Sequence, residues 1–362
     1  MYDFIPTPAV VVELGSAEDN IRQMVESNWT YGIKVRPHIK AHKSVYLAKL
    51  QLELGCVGIT CAKLGEAEVM ADAGISDILL AFPLIGIDKM ERLTALLEKA
   101  DVKTIINSYD GAKQLSDTGS AINKQIPVLV DVDGGINRGG VNPGTAARDF
   151  SLEINNLPGI KIVGLIYYSS LIYNETSKVG FNKMTIKERD DIVNSAVQMK
   201  QAGLSTEILS GGSSFTSKLP GLLNGLTEVR PGNFIFNDCN QLITGFATKE
   251  QCSLRIVATV VALVDENRAI IDAGSKTLTT DLCVHRPGYG FCIDNPDIYI
   301  DKLNEEHGFI SSTKPLGLKI GDKLAIIPNH ACVIPNLADE MYGIREGKIE
   351  RMIKVDARGK NR

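Results

Sequence analysis

The sequence predicts an α/β protein: a (β/α)8 TIM-type barrel followed by a C-terminal β domain. Three observations carry that reading. From about residue 33 to residue 238, short apolar runs alternate with amphipathic stretches, the pattern of a parallel α/β architecture. The apolar runs number eight, which is the strand count of the barrel. After about residue 242 the texture changes to strand-like runs broken by Gly, Pro and Asn turns.

Taken in order, the barrel strands fall at residues 33–40, 58–62, 77–82, 103–108, 126–133, 160–168, 206–212 and 228–238. A helix opens at Ser16, with Asp19 three residues on completing an imperfect capping box. Helical segments follow at 64–74, 88–100 and 185–203, the last with Ile192, Ala196 and Met199 at core-facing spacing. An open doubly wound sheet is the rival, disfavoured because no strand opens onto a G-x-G-x-x-G turn. The later strands are expected at 254–265, 269–272, 323–328 and 348–355, which divides the chain into a barrel domain, 1–240, and a β domain, 241–362.

Composition excludes several functional classes. With 44% apolar residues, 23% charged residues, a formal net charge of −4 and a pI near 5.8, the chain is an ordinary soluble globular protein. It has no basic surplus for nucleic acid or an acidic membrane. Seven cysteines without a paired spacing point to a reducing compartment. The start lacks a basic region followed by an apolar stretch, and no later segment is apolar enough to span a bilayer. A cytoplasmic location is expected.

His38, Lys40 and His42 are spaced by two, so on a strand all three would point to one face. That predicts an amine between two imidazoles, where desolvation lowers its pKa toward the neutral form that makes a Schiff base. The plainer alternative is a solvated basic strand end. Lys40 ends the first barrel strand, where a barrel enzyme displays its reactive group, whereas Lys43 has the opposite parity and adjoins a helix start.

Ser210-Gly-Gly-Ser-Ser214 closes the seventh strand, with Gly212, Ser213 and Ser214 at its tip, and Arg230-Pro-Gly-Asn233 lies in the eighth strand segment. Loops after strands seven and eight are the usual barrel phosphate cradle, although both motifs are also common turn chemistry. Lysine plus phosphate cradle in one barrel mouth is what pyridoxal 5'-phosphate (PLP) needs: its aldehyde goes to the amine and its phosphate to the loops. His330 and Cys332, again two apart, could present an imidazole and a thiolate to one metal ion, or be a surface histidine beside a buried cysteine. Asp131, Asp133 and Arg138 end the fifth strand, where the arginine could hold an anionic oxygen or pair with an aspartate. Glu305-Glu-His-Gly308 and Asp272-Ala-Gly-Ser-Lys276 read as turns.

With these motifs the chain resembles the fold-type III PLP enzymes, and within them the D-threonine aldolase and D-serine dehydratase group. The likeness runs through Thr7-Pro-Ala9, Arg36-Pro-His-Ile-Lys-Ala-His-Lys43, Leu64-Gly-Glu-Ala-Glu-Val-Met70, Asp77-Ile-Leu-Leu-Ala81, Arg230-Pro-Gly-Asn233, Asp272-Ala-Gly-Ser-Lys276, Glu305-Glu-His-Gly308 and Pro328-Asn-His-Ala-Cys332. It implies a barrel of the alanine racemase type, a β domain that takes in the N-terminal strand, and a homodimer with sites at the subunit interface. It also implies that Lys40 carries the cofactor, that Gly232 and Asn233 bind its phosphate, that Arg138 lies near its ring oxygen, and that His330 with Cys332 holds zinc, or manganese as the alternative. Tyr168 and Tyr173 would flank the cofactor ring, with His38 beside Lys40 as the second catalytic residue.

One departure stands out. In the D-threonine aldolases the sixth strand ends in a Tyr-x-Gly pattern followed by Gln-His, and in the dehydratases in a His-rich version; Tyr167-Tyr-Ser-Ser-Leu-Ile-Tyr173 has no histidine. The metal pair also discriminates, because aldolases resemble His-x-Asp and dehydratases His-x-Cys, and this chain has the latter. The expected activity is a lyase on D-3-hydroxy amino acids, leaning to D-serine or D-threonine dehydratase-type elimination to a 2-oxo acid and ammonia. Retro-aldol cleavage to glycine and an aldehyde is the alternative. An amino acid racemase, which shares the fold and lysine but needs no metal, is the third.

Overall fold

The computed structural model describes residues 2–169 and 171–362; Met1 and Ser170, the latter inside the 167–173 run, lie outside the described residues. A first strand, β1 (Ala9–Glu13), and helix α1 (Leu14–Trp29) precede β2 (Lys34–Val35), α2 (Val45–Glu53), β3 (Ile59–Cys61), α3 (Leu64–Asp72), β4 (Asp77–Leu80), α4 (Ile87–Leu97), β5 (Asp101–Ile106) and α5 (Tyr109–Ala121). Then come β6 (Ile126–Asp133), α6 (Thr145–Ile154), β7 (Ile160–Tyr168), α7 (Lys178–Gln201), β8 (Ile208–Gly211), β9 (Glu228–Val229) and α8 (Cys239–Ile243). The remaining strands are β10 (Leu254–Asp265), β11 (Arg268–Ile271), β12 (Phe291–Cys292), β13 (Tyr299–Leu303), β14 (Gly308–Ser311), β15 (Lys323–Ile327), β16 (Glu340–Arg345) and β17 (Lys348–Lys354).

The chain forms two compact units. One comprises Gln23–Lys40, Ala48–Gly232 and Lys360–Arg362, and the other Met1–Arg22, Ala41–Leu47 and Asn233–Gly359. In the first, β2–β9 make one parallel sheet in the order β2-β9-β8-β7-β6-β5-β4-β3. A parallel bridge between His38 and Thr60 joins the chain after β2 to β3, so the sheet closes into the expected barrel. Leu79, Ile105, Leu129, Val163 and Ile166 pack together as a buried apolar cluster of its strands. Within β7 a bulge falls at Val163, and at Gly164 beside it a β-carbon would stand 1.8 Å from the Ile208 carbonyl oxygen; only glycine lets β8 come that close.

Five barrel strands are shorter than the sequence predicts, and two of them, β2 and β9, are cut to two residues each. β2 stops at Val35, since Pro37 has no N–H for a ladder and Ile39–Ala41 winds into a single 3₁₀ turn. β9 stops at Val229, because Pro231 again removes a donor and Asn233–Ile235 forms another 3₁₀ turn. Near these short strands the barrel holds a buried polar network. Arg36 donates from Nε to Glu228 at 2.9 Å and from its two terminal nitrogens to Asp77 at 2.8 and 3.1 Å. Ser210 donates to the other Glu228 oxygen at 2.6 Å, and Arg230 donates to Ser210 Oγ at 2.6 Å and to the Tyr167 carbonyl at 2.8 Å.

In the other unit, nine strands run in the order β13-β14-β11-β10-β1-β16-β17, with β15 on β10 and β12 on β15. β1 sits centrally, antiparallel to β10 and parallel to β16, as its buried Ala9, Val10, Val11 and Val12 require. The core here packs Tyr2, Ile5, Ala9, Val11, Val257, Ala325 and Ile344. Among the described residues no helix is long and apolar enough to cross a membrane.

Candidate active site

Lys40 lies on the 3₁₀ turn that follows β2, at the C-terminal end of the barrel strands. Its ammonium stands 5.7 Å from the ring centroid of Tyr168, the last residue of β7, and the guanidinium carbon of Arg138 stands 5.3 Å from the same ring. Lysine, tyrosine and arginine thus meet at one mouth. The route to this place differs from the predicted one. Because residues 36–42 are not a strand, His38, Lys40 and His42 share no strand face. His42 is fully buried in the unit that does not contain Lys40, its Nδ1 accepting from the Ser44 amide at 3.1 Å and its ring edge-on to Phe236. His38 stays beside Lys40 through its Nδ1, which accepts from the Lys40 amide at 3.4 Å. Lys43 is buried with a left-handed φ of 53°, so its parity argument also disappears with the strand.

Asp131 on β6 is half-buried, and burial pushes its carboxyl up to about 6, against the pull of Arg138, Arg230 and a hydrogen bond from Asn107. The serine loop is internally tied. Gly212 takes a φ of +80° and donates to Glu188 Oε1 at 2.6 Å; the Ser213 amide donates to Thr216 Oγ1 at 2.7 Å, and Ser213 Oγ accepts the Phe215 and Thr216 amides at 3.2 Å each. Tyr173 packs edge-on against Phe215, which follows the buried Ser214, at 5.0 Å. Gly232, by contrast, is buried and its N–H donates to no acceptor among the described residues, a donor that an anion would satisfy. An amine, an open buried amide, an aromatic ring and a guanidinium at this end of the barrel fit PLP.

Glu188 was not singled out from sequence, although a carboxylate four residues before Ile192 falls on the core-facing stripe of α7. It is 1% exposed, and burial pushes its carboxyl up to about 6 despite the Gly212 amide and Thr216 hydroxyl. A carboxyl raised on folding contributes stability that is complete below its unfolded pKa and is lost as pH rises through about 6. The loss amounts to ~2 kcal/mol for such a shift. Glu188→Gln removes the titrating group, so the advantage of the wild type over the variant in thermal unfolding should shrink between pH 5 and pH 8. A difference that stays constant with pH would refute this.

In the other unit, His330 and Cys332 stand within hydrogen-bond reach of each other. His330 Nδ1 lies 3.0 Å from Asp238 Oδ2, and Cys332 is half-buried. Asn233 donates from Nδ2 to the same Asp238 oxygen at 2.5 Å and to Gln241 Oε1 at 3.1 Å. Among the described residues no group of three or more His, Cys, Asp or Glu side chains is placed to hold a metal. His330 and Cys332 stand there as a pair of donors, an imidazole and a thiol, with Asp238 against the imidazole. Asp238 went unnoticed in the sequence because the segment was read as strand; it caps α8, accepting from the Gln241 amide at 3.3 Å.

Comparison with known proteins bears on both units. The family described as alanine racemase, N-terminal domain, matches residues 12–239, and a serine dehydratase domain family matches residues 253–344. A D-threonine aldolase from Arthrobacter sp. is 27% identical over 363 residues, 99% of this chain and 94% of the relative. A D-threo-3-hydroxyaspartate dehydratase from Delftia sp. (strain HT23) is 29% identical over 348 residues, 91% of each chain. The crystal structure of D-threonine aldolase from Filomicrobium marinum superposes with a TM-score of 0.92 at 27% identity, covering 99% of this chain and 97% of that one. A cysteine-to-alanine mutant of D-threo-3-hydroxyaspartate dehydratase, solved in the metal-free form, gives 0.91 at 26% identity, covering 97% of this chain and 98% of that one.

Proposed function

We propose, since this chain belongs to the alanine racemase N-terminal domain family and there to the D-threonine aldolase and D-serine dehydratase group, that it eliminates water from D-3-hydroxy amino acids to give a 2-oxo acid and ammonia. The chain is a PLP-dependent lyase of that group. Bound PLP supplies the sink for negative charge that develops at the substrate α-carbon. Lys40 is the proposed base, taking the α-proton onto Nζ with His38 beside its backbone. The Gly232 amide, with Asn233 and the loop of Gly212, Ser213 and Ser214, is assigned the phosphate; Tyr168, Tyr173 and Arg138 are assigned the ring. His330 and Cys332 would hold a divalent cation, zinc or else manganese, which supplies Lewis-acid help to a departing hydroxyl oxygen.

In the overall reaction the Cα–H and Cβ–O bonds break, the hydroxyl leaves as water, and the resulting enamine is hydrolysed to 2-oxo acid and ammonia. One observation carries elimination over retro-aldol cleavage: the donor two residues after His330 is a thiol, in hydrogen-bond reach of the imidazole. We also read the protein as a cytoplasmic homodimer acting on small D-amino acids. Purified enzyme given PLP, zinc and D-threonine should yield 2-oxobutanoate and ammonia, less so after EDTA. Glycine with acetaldehyde would overturn elimination, and EDTA-resistant interconversion of D- and L-threonine would overturn the lyase reading altogether.

A further inference from the structure

We propose that Asp238 is a positioning residue that holds His330 by its Nδ1–H and so presents Nε2 as the metal-binding nitrogen. The inference rests on the reading that His330 and Cys332 hold a divalent cation. Asp238 is 1% exposed, and each of its recorded contacts comes from a donor or a ring nitrogen able to donate. Oδ1 accepts from the Gln241 amide at 3.3 Å; Oδ2 accepts from Asn233 Nδ2 at 2.5 Å and from the Ala331 amide at 3.3 Å, and lies 3.0 Å from His330 Nδ1. An ionised carboxylate only accepts. Its neighbour on the imidazole is therefore the protonated nitrogen, and in the neutral ring the opposite nitrogen keeps the lone pair that a metal needs.

Two further consequences come from the same oxygen. Ala331 stands midway between the two proposed ligands, so the bond to its amide pins the backbone that sets their spacing. Asn233, which the proposed function assigns to the cofactor phosphate, is tied to the carboxylate that orients His330. One buried acid thus fixes a phosphate residue and a metal residue together, and its loss should be felt first in metal affinity.

The test uses PLP-loaded enzyme and zinc. Asp238→Asn keeps the size but removes the charge and offers the donors a single acceptor oxygen. Zinc retained after dialysis against graded nitrilotriacetate, measured by elemental analysis, should show an affinity about 10- to 100-fold weaker than wild type. The PLP content and cofactor absorbance should change far less, since the one acceptor oxygen left can still take the Asn233 donor. His330→Ala and Cys332→Ala are the references: if both retain zinc like the wild type, the metal reading itself fails. If both lose zinc while Asp238→Asn holds it as tightly as the wild type, the role of Asp238 alone is overturned. Should Asp238→Asn not fold, ¹⁵N-histidine NMR of the zinc-loaded wild type, with His330 assigned through His330→Gln, decides. A proton on Nδ1 supports the inference, and a proton on Nε2 refutes it.

Discussion

Lys40→Ala is expected to lower lyase activity by about 10³- to 10⁴-fold and to erase the visible absorbance of lysine-bound cofactor. Lys40 sits half-buried at the C-terminal end of the barrel, 5.7 Å from the Tyr168 ring, where Arg138 faces the same ring from 5.3 Å. Lys43, three residues on, is buried in the other unit, and its carbonyl accepts from the Ala357 amide. Lys43→Ala should therefore keep the absorbance. Borohydride reduction of the PLP-loaded wild type followed by peptide mass mapping should place the cofactor mass on residue 40. A modified Lys43, or an absorbance that survives in Lys40→Ala, would remove the foundation of the proposed chemistry.

The reach of the sequence can be judged at particular residues. The barrel was legible because a parallel sheet needs apolar strands alternating with amphipathic helices, and that periodicity survives in a single chain. The shortness of β2 and β9 was not, although Pro37 and Pro231 mark both ends; apolar runs continue past them, into 3₁₀ turns rather than ladder. Lys40 is preferred to Lys43 on a parity argument that the 3₁₀ turn invalidates. Lys40 still lies at the C-terminal end of the strands, because a residue just past a barrel strand reaches that end whichever way the chain turns. His42 shows what parity alone costs, since it is buried against Phe236 instead of lying beside the lysine. Glu188 had a signal that went unread, a charge on a core-facing helical stripe. Asp238 had almost none. Its partners Asn233, His330 and Ala331 come from segments up to 93 residues away in the chain, and only folding brings them to one oxygen.

Arg36→Met should cost about 3–5 kcal/mol, the usual price of leaving a buried charge without its partner. In a unit of this size that is about a 10 °C fall in the unfolding midpoint. Arg36 belongs to the same run as Lys40 and resembles part of a catalytic motif, yet its bonds are those of a barrel strut. It is 5% exposed, and it joins Glu228 on β9 to Asp77 on β4. Asp77 has 40% of its side chain exposed, so water can take over its solvation when the arginine is removed. Glu228 is 4% exposed; it would keep the bond from Ser210 to one oxygen but lose Nε from the other. Most of the penalty therefore falls on Glu228, and Arg36→Met combined with Glu228→Gln should recover a large part of it. Arg36→Lys should lie between, keeping the charge without the planar fork that serves two carboxylates at once. Calorimetry on the four proteins checks the ordering, and PLP content measured well below the midpoint should stay at wild-type level. A double variant no more stable than Arg36→Met would show that the cost comes from lost packing instead of the stranded carboxylate.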